Sequence, residues 1–171
     1  MMPPVMPPLL HTARLVLRPM GPGDFPAYAA FMASPRAAFM GGPYDTRAAW
    51  GIFCHDAAGW ALFGHGALMI EADGVTVGQV GISHGPLFPE PELGWLLYDG
   101  HERQGYATEA AAALRAHALA AGLPSLVSYT DAENYASQAV AQRLGAVLDP
   151  DAVPQDAGDL VWRHPVKGGQ A

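Results

Sequence analysis

Cysteine is nearly absent: Cys54 is the single one in 171 residues. A lone cysteine excludes an internal disulfide and a cysteine-rich zinc site, and it suits a reducing cytosol. Basic residues are scarce as well, with 9 Lys+Arg against 16 Asp+Glu and a formal net charge of −7. Scattered cations on an acidic chain disfavour nucleic acid, whose phosphates would be repelled. The same balance draws in a positively charged substrate such as an amine. No apolar run approaches the ~18 residues of a membrane span, so no membrane partner is expected. The opening Met1-Met2-Pro3-Pro4-Val5-Met6-Pro7-Pro8 has no positive n-region and is broken by prolines, so it does not read as a signal peptide.

Nucleotide and metal motifs are missing too. There is no G-x-x-x-x-G-K-[ST], and no G-x-G-x-x-G opens a βαβ unit. Gly64-His65-Gly66 leads into a strand instead. His101-Glu102 is followed by Gly105 where H-E-x-x-H needs a second histidine, and the 7 histidines are widely spread. No metal is expected. Cys54 beside His55 has no visible oxyanion element, and neighbouring residues on a helix diverge by ~100°, so a small buried cysteine is the better reading.

What is present is a globular composition. Half of the residues are hydrophobic, and mean hydropathy is +0.10. That is enough apolar surface to offset chain entropy in one domain. Gly 20 and Pro 16 punctuate the chain without a G-X-Y period. The spacing predicts a strand over Thr12–Arg18 and a helix capped by Asp24 that ends at Ser34-Pro35. A loop over 36–45 precedes a second helix from Thr46 to about Ala57, broken by Gly59. Ala67–Ile70 and Val75–Ile82 form a hairpin on Asp73-Gly74, and Glu92–Tyr98 is the next strand. An alanine-rich helix over Gly105–Ala121 stops at Gly122, and Ser125–Thr130 is again a strand. Asn134 caps a helix to Leu144, before two closing strands at Val147-Leu148 and Leu160-Val161-Trp162. The order is β-α-α-β-β-β-α-β-α-β-β. The central strand–helix–strand crossover implies one parallel pair in a mostly antiparallel sheet. Residues 12–166 form the expected domain, with a flexible arm at 1–11 and a frayed tail at 167–171.

Gln104-Gly105-Tyr106-Ala107-Thr108-Glu109-Ala110 stands between a strand and a helix. Helix starts carry free N–H groups and positive partial charge, so small residues there let an anion approach the backbone. A tight strand-to-helix turn also needs glycine for backbone reasons alone, and the residues leave both readings open.

Glu92-Leu93-Gly94-Trp95 followed by His101-Glu102-Arg103-Gln104-Gly105-Tyr106-Ala107-Thr108-Glu109-Ala110 resembles the acetyl-CoA motif of the GNAT N-acetyltransferase superfamily. The ribosomal-protein-alanine N-acetyltransferase branch is the nearest in pattern. Thr12–Pro19, Asp24-Phe25, Asn134-Tyr135-Ala136-Ser137-Gln138 and Arg143-Leu144-Gly145 extend the likeness over about residues 12–146. The resemblance implies a single α/β domain with a V-shaped sheet. It implies direct acetyl transfer from acetyl-CoA to a primary amine, on a protein N-terminus or a small molecule. The alternative is a non-catalytic acyl-CoA-binding module of the same fold. A homodimer is also within the family's habits, through the terminal strands.

The resemblance further assigns residues. Arg103, Gln104, Gly105, Tyr106, Ala107 and Thr108 would hold the pyrophosphate by backbone N–H groups. Glu102 replaces the family's usual Arg or Gln, and Arg103 stands where a second glycine is common. Arg103 is either a phosphate contact or a solvated charge. The backbone of Leu96, Leu97 and Tyr98 would meet pantetheine. Glu92 matches a general base. The tyrosine acid of many relatives would fall at Ala141, so Ser137 is the candidate donor to sulfur, with Asn134 bonding pantetheine. Asn134 also explains itself as a helix cap, and Ser137 as a first-turn residue. Tyr44, Trp50, Trp60 and Phe63 would line or pack the substrate end, with core packing the default reading for each.

Overall fold

The computed structural model describes residues 5–166. Leu15 and Leu17 are buried while Val16 and Arg18 are not, the period of a half-buried strand, β2 (Leu15–Arg18). Ahead of it β1 (Leu10–His11) pairs antiparallel, Leu10 opposite Leu17 and His11 opposite Val16. These residues fall within the expected arm, so ordered structure begins before Thr12. The stretch 167–171 and the first four residues of the arm lie outside the described residues.

A 3-10 turn, Pro22–Asp24, leads into α1 (Phe25–Met32). Asp24 does not cap α1 with its side chain. Its carboxylate accepts from the Gly21 N–H at 2.9 Å and pairs with Arg18 at 2.8 Å, tying the turn to β2. Part of the expected loop is a second 3-10 helix, Pro35–Met40, capped by Ser34 through the Arg36 N–H. The next helix is α2 (Thr46–Phe63), and Asp45 rather than Thr46 caps it, accepting from the Ala48 N–H at 2.8 Å. Gly59 lies inside α2 and does not break it. A Cβ there would sit 2.7 Å from the His65 carbonyl oxygen, so glycine lets the helix lie against the chain that enters the sheet.

That chain forms β3 (Ala67–Ala72) and β4 (Val75–Ser83), joined at Asp73 and Gly74 with φ of 49° and 77°. Positive φ at both positions is what a two-residue hairpin turn of right-handed twist demands. β5 (Glu92–Leu97) pairs antiparallel with β4, placing Leu96 opposite Gln79 and Glu92 opposite Ser83. α3 (Tyr106–Ala120) crosses to β6 (Val127–Thr130), and α4 (Tyr135–Arg143) precedes β7 (Val147–Leu148) and β8 (Leu160–Arg163). One sheet results, in the order β1-β2-β3-β4-β5-β6-β8-β7. Apart from β1, the connectivity is the expected one.

The β5–β6 pair is the parallel one, and it is bridged only at Glu92 and Val127. The Val127 N–H donates to the Pro91 carbonyl at 3.0 Å, and Ser128 Oγ donates to the Leu93 carbonyl at 2.5 Å. Beyond these bonds the strands separate, and the sheet opens as a V. His164 braces the hinge from below. Its Nε2 lies 2.9 Å from Ser128 Oγ and its Nδ1 3.1 Å from Arg115 Nη1. Ser128 already donates to Leu93 and Arg115 can only donate, so the ring carries its proton on Nε2. Burial, with Arg115 beside it, pushes His164 down to about 4, so it stays neutral.

Apolar residues cover both faces. Leu15, Leu17, Leu68, Ile70, Val80 and Leu93 pack with Ala110 and Leu114 of α3. Leu96 packs instead with Tyr28, Met32 and Phe53 of α1 and α2. Leu93 and Leu96 differ in parity along β5, so alternation sends them to opposite faces.

Candidate active site

Alternation along β5 also decides which backbone groups face the opening. The Tyr98 N–H donates to the Val77 carbonyl at 2.8 Å, and Leu96 pairs with Gln79 in the same ladder. In an antiparallel pair a residue placed like Leu96 spends both backbone groups on the neighbour, and Tyr98 spends its N–H there while its carbonyl accepts from the His101 N–H at 3.1 Å. Leu96 and Tyr98 are therefore turned toward β4, which corrects their expected backbone contact with pantetheine. Leu97 keeps that role open, and Trp95, one alternation earlier, joins it. The Tyr98 ring packs beside Phe31, and its buried hydroxyl has no hydrogen-bond partner.

Two cavities flank the opening. The larger, about 1380 Å³, lies over the start of α3. Of the six expected loop residues, Arg103, Gly105, Tyr106, Ala107 and Thr108 line it. Gln104 does not, and its carbonyl accepts from Arg14 Nη1 at 2.8 Å. Gly105 precedes α3 with φ of 80° and no side-chain cap, so the N–H groups of the first turn are left for a ligand. Arg103 holds φ of 62°, a left-handed conformation that favours the glycine common there in the resembling branch.

Positive charge converges on this cavity from distant parts of the chain. Arg14, Arg36, Arg103 and Arg143 all line it. Arg14 is fixed by Glu109 Oε2 at 2.7 Å and lies 5.0 Å over the Tyr106 ring centroid. Arg36 reaches Glu102 at 2.5 Å and stands over the Phe31 ring. Glu102, which interrupts the familiar loop pattern, is thereby paired with a cation carried on a different element. The sequence shows scattered basic residues, and the fold gathers these four.

The smaller cavity, about 800 Å³, lies on the α1–α2 side and is lined by Asp56, Glu92, Asp131, Asp156 and Asp159. No Lys or Arg is among its lining residues. Burial pushes the Glu92 carboxyl up to about 8, with repulsion from Asp56, Asp159 and Asp156 added, against a bond from the Tyr129 backbone. Burial likewise raises Asp56 to about 6, opposed by its bond to Gln79 and by His55 and Tyr28.

The cavities share a wall of Phe39, Met40, Trp95, Leu96, Asn134 and Ser137. Asn134 caps α4 by accepting from the Ser137 N–H at 3.2 Å, so one bond fixes both residues at the junction. Glu92 opens into the smaller cavity alone. Tyr135 is 73% exposed and faces neither cavity. Of the expected substrate-end aromatics only Tyr44 lines a cavity, while Trp60 is a core residue. Cys54 is exposed and lines neither cavity, so it is not the buried cysteine expected. Among the described residues no cluster of three His, Cys, Asp or Glu could hold a metal, and no helix is long and apolar enough to cross a membrane.

An anion-binding helix start, a split parallel pair and an acidic pocket on the far side suit transfer of a group from a polyanionic carrier to a cationic acceptor. Comparisons with known proteins find acetyltransferases of the same fold. A crystal structure of an acetyltransferase from Agrobacterium tumefaciens str. C58 superposes with a TM-score of 0.91 at 58% identity, covering 94% of this chain and 95% of that one. A GNAT-family acetyltransferase from Bordetella pertussis gives a TM-score of 0.75 at 26% identity, over 92% of this chain and 99% of the other. The Salmonella typhimurium enzyme that modifies the N-terminal serine of ribosomal protein L7/L12 shares the fold, with a TM-score of 0.69 at 17% identity over 89% and 94%. No curated protein matches the sequence. The family model described as Acetyltransferase (GNAT) domain matches residues 14–147, and the chain belongs to the GNAT acetyltransferase family.

Proposed function

We propose that the protein moves an acetyl group from acetyl-CoA to a primary amine, on a protein N-terminus or a small molecule, by direct transfer in a ternary complex. One observation carries this reading: a basic cavity and an acidic cavity meet at Trp95, Leu96, Asn134 and Ser137, where β5 and β6 part. The uncapped start of α3 and the four arginines suit the pyrophosphate. The free backbone groups of Trp95 and Leu97 suit the amide arm of pantetheine. Acetyl-CoA supplies the activated acyl group.

The chain's own groups do the rest. Glu92 takes the proton that the amine must lose, directly or through a water, as nitrogen bonds the acyl carbon. Its raised pKa brings it closer to that of the ammonium it must deprotonate. Ser137 donates to sulfur as the carbon–sulfur bond breaks, so the thiolate does not leave as a bare anion. Asn134 holds Ser137 at the junction and bonds the pantetheine arm. Direct transfer is supported by Cys54 lying outside both cavities, which leaves no thiol there to carry the acetyl group.

Thiol release from acetyl-CoA across a panel of peptides, diamines and amino sugars tests the reading. The expected result is release that needs both enzyme and amine, with no stoichiometric burst when the amine is left out. Tight CoA binding without release on any amine would overturn the proposal, and a burst without amine would overturn direct transfer.

A further inference from the structure

We infer that the acceptor carries a second positive charge, held at the Asp56–Gln79 end of the smaller cavity while its reacting amine faces the shared wall. This deepens the N-acetyltransferase reading and rests on it. The carboxylates that form ion pairs are Asp24, Glu71, Glu90, Glu102, Glu109 and Asp149, and all of them lie outside this cavity. The five that line it, Asp56, Glu92, Asp131, Asp156 and Asp159, have no Lys or Arg partner among the described residues. Glu92 is repelled by Asp56, Asp156 and Asp159, and Asp159 by Asp156 and Asp131, a repulsion that a cationic ligand would relieve.

Gln79 points to the same ligand independently. It is only 5% exposed, it lies on the cavity wall, and its Nε2 donates to Asp56 Oδ2 at 2.7 Å. That bond fixes the orientation of the amide, because the reverse would set oxygen against carboxylate. It leaves Gln79 Oε1 without a donor. An orphaned buried acceptor costs ~1–3 kcal/mol. An ammonium brings three N–H donors and a charge, enough for Oε1 and Asp56 together. A hydroxyl end brings one donor and no charge.

The spacing limits the length of the acceptor. Gln79 is the ladder partner of Leu96, and Leu96 lines both cavities. Directly opposed side chains start ~5 Å apart, so the second charge sits a few carbons from the reacting nitrogen. A short aliphatic diamine meets these demands.

The test compares 1,4-diaminobutane with 4-aminobutan-1-ol and butylamine. Binding to the CoA-loaded enzyme is measured by calorimetry, and kcat/KM by thiol release. The diamine should exceed both monoamines at least tenfold in affinity and in kcat/KM. In Asp56→Asn, which keeps an acceptor for Gln79, the ratio should fall toward one. Equal binding of the diamine and the amino alcohol overturns the second-charge site, as does a ratio that survives Asp56→Asn. Should Asp56→Asn fail to fold by circular dichroism, the wild-type ratio alone decides. Preferential diamine binding without thiol release sinks the transferase reading and leaves the charge site standing. Thiol release without preference does the reverse.

Discussion

Glu92 is asked to sit half-buried and to be a base, and the two demands pull against each other. Its carboxyl titrates near 4.5 when free and at about 8 in the fold, chiefly because burial penalises the anion. Between those values the unfolded chain has released its proton and the folded chain has kept it. Stability therefore falls as pH rises through that window and levels off above it. Glu92→Gln removes the penalty. At pH 7.5 the variant should melt higher by roughly 2–4 °C, the equivalent of about 1 kcal/mol for a chain of this size. Its kcat should drop by 10²–10⁴, the usual worth of a positioned general base. The rising limb of kcat/KM near pH 8 should vanish with it. A variant that loses neither rate nor that limb would relieve Glu92 of the role. Single residues were legible where the chemistry is local. Asn134 announced itself as a cap, and Gly105 as the turn before α3. Asp56 and Gln79 did not, because they meet across 23 positions from a helix and a strand.

Elements were legible by period and mistaken at their ends. The expected stop of α2 near Ala57 followed from the poor helix propensity of Gly59. The close approach of His65 overrides that propensity, and it is a tertiary fact that no local pattern carries. The opening of β5 from β6 was implied by family likeness alone, and its cause lies in pairs of residues far apart in sequence. Ser128 joins two of them. Its hydroxyl donates to the Leu93 carbonyl and accepts from the His164 Nε2–H, bridging β5, β6 and the end of β8. Ser128→Ala leaves a buried carbonyl and a buried imidazole N–H without partners. About 2 kcal/mol should be lost, seen as a Tm lower by roughly 4–8 °C. An unchanged melting curve would show that the hinge is held by something else.

At the scale of the molecule, the net charge of −7 proved less informative than its distribution. A sum over the sequence gives no hint that four arginines from an early turn, a 3-10 helix, a loop and α4 converge on one cavity while five unpaired carboxylates line the other. The acidic composition suits the cationic acceptor proposed above. It also implies that helix-start N–H groups, with Arg103, hold a polyanion rather than a basic patch. Arg36 changes that. It comes from the segment expected to be a plain loop, and it is held against the turn before α3 by Glu102. It thus returns to that turn the positive charge that Glu102 takes away. Reversing it, by Arg36→Glu, leaves two carboxylates facing each other beside the anion site. CoA affinity should then fall about tenfold at low salt, or ~1.4 kcal/mol. The deficit should shrink as salt is raised, because a partly exposed charge is screened within about 8 Å at physiological ionic strength. The amine subsite should feel little of it, since Arg36 lines only the larger cavity. Calorimetry with CoA in two salt concentrations, alongside KM for the amine, separates these outcomes. Unaltered CoA binding would mean that the α3 turn and the other three arginines suffice, and that the Arg36–Glu102 pair only fastens the 3-10 helix to the loop.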